Sequence, residues 1–194
     1  MFNGIIYNKG IVKKILITNK GRSIFIFSKL KLKKKNIGMS IACDGVCLTL
    51  VSIKKNILEF YLLRETINRS KFKYVKKGDA INLELPLKYG QDISGHICQG
   101  HVDTTSKVLK IYKKGYSKVL EFKVKKKYKK ILIEKASILI NGVSLTISKI
   151  TKNGFEIWLI PHTLKLTNLS DVKINTIVNI EFDILSKYVK NYIT

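Results

Sequence analysis

Asp44-Gly45-Val46-Cys47-Leu48-Thr49 returns as Asn141-Gly142-Val143-Ser144-Leu145-Thr146, an offset of 97 residues (146 minus 49). The same offset carries Ser40-Ile41 onto Ser137-Ile138, Lys55-Asn56 onto Lys152-Asn153, Glu59 onto Glu156 and Thr66 onto Thr163. It also carries Val75-Lys76 onto Val172-Lys173, Asn82 onto Asn179 and Glu84 onto Glu181. Roughly a third of the compared positions are identical, at a period far longer than that of solenoid repeats. The chain is a duplicated unit.

Its 194 residues therefore divide into two halves, each large enough for a small core. In the quoted stretch Val46, Leu48 and Leu50 alternate with Cys47, Thr49 and Val51, the two faces of a strand. Working outward, residues 2–7, 10–17, 23–30, 57–63 and 80–87 read as strands, with Gly21 breaking the pattern. Turns fall at 54–56 and 77–79, a short helical turn at 66–72, and a hairpin turn at Asn153-Gly154. Short strands with little helical periodicity predict two small antiparallel barrels joined by a polar link at 88–94. After Asp183 the apolar residues Ile184, Leu185, Tyr188, Val189, Tyr192 and Ile193 recur at helical spacing. A helix this short needs a partner for its stripe, either its own barrel or the same helix of a neighbouring subunit.

The composition, 45% hydrophobic, is that of a globular chain. No apolar run approaches the ~18 residues of a membrane span, and no signal peptide is visible at the start. Cys43, Cys47 and Cys98 form no paired framework, so a reducing, cytoplasmic setting is expected. The formal charge of +24 raises the reading of a basic barrel for nucleic acid. Only Arg22, Arg64 and Arg69 are arginine, however, and the lysines spread through every segment without interleaved aromatics. Neither nucleic acid nor membrane is the expected partner.

The most polar glycine-rich window is Ser94-Gly95-His96-Ile97-Cys98-Gln99-Gly100-His101-Val102-Asp103. Its cysteine and histidine spacing matches no structural zinc pattern, and no metal is expected. Cys47/Thr49 and Ser144/Thr146 hold equivalent outward positions. They are either solvent-facing strand edges or two like surfaces that bind the same kind of small ligand twice. A thiol is an unusual choice for solvent.

With Met1-Phe2-Asn3-Gly4-Ile5, Arg64-Glu65-Thr66, Gly100-His101-Val102-Asp103 and Ile160-Pro161-His162-Thr163 added to the two boxes, the whole chain resembles riboflavin synthase of the alpha-chain type. This is a family of duplicated lumazine-binding barrels. The resemblance implies an all-β fold of two homologous six-stranded antiparallel Greek-key barrels in tandem, plus a short C-terminal helix. The expected units are 1–96, 97–183 and the trimerisation helix 184–194. It implies a dismutation in which two molecules of 6,7-dimethyl-8-ribityllumazine exchange a four-carbon unit, giving riboflavin and 5-amino-6-ribitylaminouracil. No cofactor is implied; a homotrimer is, with lumazine synthase as a further partner.

The resemblance also implies site residues. Gly4, Ile5, Ile6, Cys47, Leu48, Thr49, Tyr61, Leu62, Leu63, Arg64, Glu65 and Thr66 would surround the ligand of the first barrel. Gly100, His101, Val102, Lys135, Ser144, Leu145, Thr146, Trp158, Leu159, Ile160, Pro161, His162 and Thr163 would surround that of the second, or the boundary between them. His101, Ser40 and Asp183 are the expected catalytic residues, His101 because imidazole titrates near neutrality. The bland roles are a turn for Ser40, a helix cap for Asp183 and a solvated face for Lys135. Asn3 stands where the family usually has Thr, and Ser94 and Thr104 where it usually has Gly. Asp44 and Asn141 invert the commoner order of the two boxes, which would weaken any proton transfer tuned by an acid in the second. A lumazine-binding antenna protein shares this architecture without turnover and is the alternative reading.

Overall fold

The computed structural model describes residues 1–193, and of Asn191 and Ile193 it describes only the backbone. Thr194 and the side chain of Ile193, both part of the expected helix and its stripe, lie outside the described residues. Six strands form the first barrel: β1 (Asn8–Ile17), β2 (Gly21–Phe27), β3 (Ser40–Cys43), β4 (Val46–Lys54), β5 (Ile57–Leu63) and β6 (Ala80–Glu84). They close antiparallel in the order β1-β2-β5-β4-β3-β6. The second sheet holds β7 (Thr104–Lys114), β8 (Ser117–Lys123), β9 (Ser137–Ile140), β10 (Val143–Thr146), β11 (Lys149–Ile150), β12 (Gly154–Leu159) and β13 (Ile177–Phe182). Its order is β10-β9-β13-β7-β8-β12-β11. The seventh strand is a division, because β10 and β11 correspond to the single strand β4. Between them Ile147 donates to Ala136 O at 3.0 Å and accepts from Lys135 N–H at 2.8 Å, as Leu50 does with Met39 and Gly38 at 2.9 Å.

Helix α1 (Arg64–Arg69) follows β5, and α2 (Pro161–Leu166) follows β12 with proline at its first turn, where a missing N–H costs nothing. The helical turn expected at 66–72 is thus α1 plus a 3-10 turn at Lys71–Lys73. Helix α3 (Ile184–Ile193) ends the described chain. Gly21 opens β2 rather than breaking it; a Cβ there would strike Leu62 O across the ladder.

Residues 2–7 are not a strand. Phe2 bridges to Cys98 alone, and the rest of this arm crosses to the other barrel. Ile6, 4% exposed, packs into the core of the second barrel with Phe122, Ile140 and Phe155. In return Val102 packs on the core of the first, with Ile26, Leu50 and Phe60. Truncating Ile6 to Ala would cost about 2–5 kcal/mol in a core to which its own strands do not belong.

The arms repeat at an offset of 96 (100 minus 4), not 97, because the connection holding the 3-10 turn Lys34–Asn36 is one residue shorter than its copy around Lys126–Ile131. With that correction the halves are related by a pseudo-twofold axis. Phe2 and its counterpart Cys98 exchange both backbone bonds, at 2.8 and 3.0 Å. Gly45 and Gly142, at φ +76 and +78, abut: a Cβ on either would stand 2.8 or 2.7 Å from the other's nitrogen.

A buried polar network surrounds this contact. Asn82 Nδ2 donates to Asn141 O at 2.9 Å, and Asn179 Nδ2 to Asp44 O at 2.8 Å. Asp44 Oδ1 accepts from Asn82 N–H and Asn168 Nδ2, both at 2.8 Å, while Oδ2 meets Lys71 Nζ at 2.6 Å. Burial pushes the Asp44 carboxyl up, against the pull of Lys71. The inverted pair, Asp44 in the first box and Asn141 in the second, lies in this network. Asp44 and Asn141, 0 and 1% exposed, lie between the barrels and hold them together.

Candidate functional site

Strand β4 pairs with β5 from Lys54↔Ile57 up to Leu50↔Phe60, and the recorded pairing ends there although the strands run on to Val46 and Leu63. A notch opens between residues 47–49 and 61–63. Period-two alternation puts Cys47, Thr49, Tyr61 and Leu63 on its outer face and buries Leu48 and Leu62 beneath. Ser40 sits opposite Thr49 on β3 and so shares that face. Arg64-Glu65-Thr66 begin α1 at the lip, where Glu65 pairs with Arg69.

The second barrel repeats the notch. β12 pairs with β11 only at Lys149↔Glu156 and Ile150↔Phe155, while β10 pairs with β9. Ser144 and Thr146 face Trp158 and Ile160, with Leu159 fully buried and Leu145 half-buried. Pro161, His162 and Thr163 start α2 at this lip. Lys114 Nζ lies 4.8 Å above the Trp158 ring.

Each notch is finished by the arm of the other repeat. Cys47 N–H donates to Gly100 O at 2.9 Å, and Ser144 N–H to Gly4 O at 2.8 Å. Both glycines have positive φ, and a Cβ on either would stand 2.7 Å from the Cβ of Cys47 or Ser144, so only glycine lets the arm lie this close. The expected grouping is therefore exchanged: Gly4, Ile5 and Ile6 go with the second barrel, and Gly100, His101 and Val102 with the first. Short range hid this, since nothing local says that an arm leaves its own barrel.

His101 is exposed, its amide tied to Glu181 Oε2 at 2.9 Å. Asp183 accepts from Leu185 N–H at 2.8 Å and caps α3, the bland role foreseen for it. It also lies close enough to His96 to oppose the burial that pushes this imidazole's pKa down. His96 Nδ1 is hydrogen-bonded to Ser144 Oγ at 2.7 Å, which draws His96, Ser144 and Asp183 into one cluster. His96 was not among the expected site residues. Lys135 is exposed at φ +68, a left-handed turn position matching Gly38 at φ +91; its backbone adjoins the end of β10 and its side chain is solvated.

Two buried carboxylates also escaped the sequence reading. Glu84 accepts from Asn3 N–H at 2.7 Å and from Gly4 N–H at 3.1 Å; burial pushes it up to about 7. Glu181 accepts from Gln99 N–H at 2.7 Å and from His101 N–H; burial pushes it up too. The available signal was a carboxylate kept in both copies of a largely apolar strand, two residues after an asparagine kept in both as well. Burial likewise pushes the thiols of Cys43 and Cys98 up, which keeps them protonated.

A cavity of about 620 Å³ lies elsewhere, between the first arm, Leu30 and the linker at 85–92. The notches lie apart from that cavity, where the ladders β4/β5 and β11/β12 end. Leu63 and Ile160 are 60 and 56% exposed at their rims, apolar side chains that a further wall would cover.

A family model described as the lumazine binding domain matches the chain twice, over residues 3–86 and 99–183. The riboflavin synthase of Photobacterium phosphoreum is 37% identical over 193 residues, covering 98% of this chain and 88% of that one. The riboflavin synthase of Bacillus subtilis (strain 168) is 33% identical, covering 100% and 90%. Among solved structures, LumP complexed with riboflavin superposes with a TM-score of 0.81 at 25% identity, over 94% of this chain and 99% of that one. LumP complexed with 6,7-dimethyl-8-(1'-D-ribityl) lumazine gives 0.81 at 24%, a likeness of fold.

Proposed function

Because the chain belongs to the riboflavin synthase family, built on two lumazine-binding domains, we propose that it converts two molecules of 6,7-dimethyl-8-ribityllumazine into riboflavin and 5-amino-6-ribitylaminouracil. A four-carbon unit passes from one molecule to the other. The observation that carries this reading is the pair of equivalent notches, each finished by a glycine of the crossing arm. A dismutation needs the same compound bound twice, and a duplicated frame supplies that.

Where β4 parts from β5, and β10 from β12, strand backbone reads the pyrimidinedione edge of the substrate. Tyr61 and Trp158 flank the ring system, and Glu65, Thr66, His162 and Thr163 take the ribityl hydroxyls. The methyl group of the electron-poor ring loses a proton, and His101, exposed on its arm, moves it. Ser40, beside Thr49, holds the nucleophile that adds to the acceptor ring. Asp183 orients His96 and, through it, Ser144. Holding two large rings in register contributes several kcal/mol of the barrier reduction, on the order of what proximity supplies.

The exposed apolar rims support a reading in which another copy supplies a further wall. In a cyclic trimer the first notch of one chain faces the second notch of the next, and α3 packs with its two equivalents. Leu185, Tyr188 and Val189, 70, 59 and 55% exposed, are the surface for that contact. The functional units thus cross the division at 96/97, each being one barrel with the other's arm. Three free cysteines fit a cytoplasmic location.

Incubating the purified protein with the lumazine alone, and following riboflavin absorbance, tests the reading. Steady formation of riboflavin is expected. Tight binding with no product over long incubation would place the chain with the antenna proteins instead.

A further inference from the structure

Glu84 and Glu181 take no part in the reaction as described, yet both lie under the arms. They are 7 and 3% exposed, at corresponding places on β6 and β13. Each carboxylate accepts two backbone N–H groups of one arm: Asn3 and Gly4 on Glu84, Gln99 and His101 on Glu181. Such forked, charge-assisted bonds fix direction as well as distance.

The carboxylate and the notch it serves are on different barrels. Glu181 belongs to the second barrel, and the arm it grips passes its Gly100 carbonyl to Cys47 of the first. Glu84 belongs to the first, and its arm passes the Gly4 carbonyl to Ser144 of the second. Each arm is thus clamped from both sides. Two residues beyond His101 the chain is tied as well: Asp103 accepts from Phe182 N–H at 2.8 Å and meets Lys187 Nζ at 3.1 Å. With Gly100 fixed on one side and its own amide on the other, the backbone of His101 has one place to be.

We propose that Glu181 is the positioning residue of His101, and that Glu84 performs the same service for the arm that lines the second notch. This rests on His101 acting in the proposed reaction. Glu181→Gln keeps the side chain's shape but turns one acceptor into a donor, so one of the two arm amides loses its partner. In the full chain, kcat should fall about 10- to 100-fold with KM little changed, the scale of a misplaced catalytic group.

The deciding measurement is a double-mutant cycle with His101→Ala. If Glu181 acts through His101, Glu181→Gln costs nothing further in kcat once the imidazole is gone. Additive losses would overturn the proposal and leave Glu181 a fold-stabilising residue. Should His101→Ala itself run at the wild-type rate, it is the catalytic reading that fails, and that outcome is separate. Glu181→Asp, which keeps the charge and shortens the reach, gives the same cycle if the Gln variant fails to fold. Glu84→Gln is the internal control, because its arm carries Ile5 where the other carries His101. Its effect should add to that of His101→Ala, and a non-additive Glu84→Gln would equally overturn the assignment.

Discussion

In the first notch the side chain beside the crossing glycine is a thiol, Cys47; in the second it is Ser144, whose hydroxyl is already engaged by His96 at 2.7 Å. The arm over the first carries His101, and the corresponding place over the second is Ile5. The rim aromatic is Tyr61 on one side and Trp158 on the other, the latter under Lys114. The lips read Arg64-Glu65-Thr66 and Pro161-His162-Thr163. All of this hangs on backbone that is the same in both halves, down to the glycine carbonyl that meets Cys47 or Ser144. On the proposed reading, a shared frame lets each notch accept the same molecule, and unequal side chains let one molecule give up carbon while the other receives it.

The largest test of this comparison removes what brings unlike notches together. A chain ending before Ile184 should sediment as a monomer, still bind the lumazine, and lose ~10²-fold or more in turnover, because two bound rings no longer share a site. A fully active monomer would mean that the two notches meet within one chain. Next comes the difference between His101 and Ile5. His101→Ala should lower turnover about 10-fold or more with the barrels intact, the usual scale of acid–base help. Wild-type rates in a folded variant would make the arms equivalent after all.

A smaller effect probes the axis between the halves. Gly142→Ala puts a Cβ 2.7 Å from Gly45 N at φ +78, whereas Gly115→Ala, at φ +57, meets nothing within 4 Å. Both pay the left-handed backbone cost of ~1–2 kcal/mol, and only the first also strains the contact between the barrels. Urea unfolding should therefore show the larger loss for Gly142→Ala. Equal losses would show a loose axis.

The smallest effect is a pH trend. Burial holds Glu84 at about 7, against the bonds from Asn3 and Gly4, where an ordinary glutamate sits at 4.5. Across that window the folded chain keeps a proton that the unfolded chain has lost, so this group's contribution to stability falls as pH rises. The Tm of Glu84→Gln, relative to wild type, should thus improve from about pH 5 to about pH 8. Glu181→Gln should show the same sign, since burial raises that carboxyl as well. A flat difference for both would mean that neither carboxyl carries the extra proton.

The barrels were legible because alternation is local: Val46, Leu48 and Leu50 turn inward whatever the rest of the chain does. The arms were not. Phe2 and Ile6 read as part of a strand because they are apolar, and they are apolar because Phe2 packs between the barrels with Ala42 and Leu139 while Ile6 enters the core of the second. That reason lies far away in sequence. The same distance hid the bond from His96 to Ser144, 48 residues apart, and those from Glu84 to the first arm. Asp44 and Asn141 were noticed as an inversion, but a hexapeptide says nothing about which of its faces meets its own copy.

That meeting has a history in it. Phe2 bonds to its own counterpart Cys98, and Gly45 leans on its own counterpart Gly142. A residue touching its copy is the signature of an isologous dimer, here with the arms swapped and the two polypeptides joined into one. Strict symmetry would have required every buried group at the seam to appear twice, charges included. Fusion lifted that requirement. Asp44 faces Lys71 at 2.6 Å on one side, while Asn141 and Asn168 face each other at 3.3 Å on the other. One costly buried ion pair stands where a true dimer would carry two, so a seam that is symmetric in its backbone is free to be unequal in its charge.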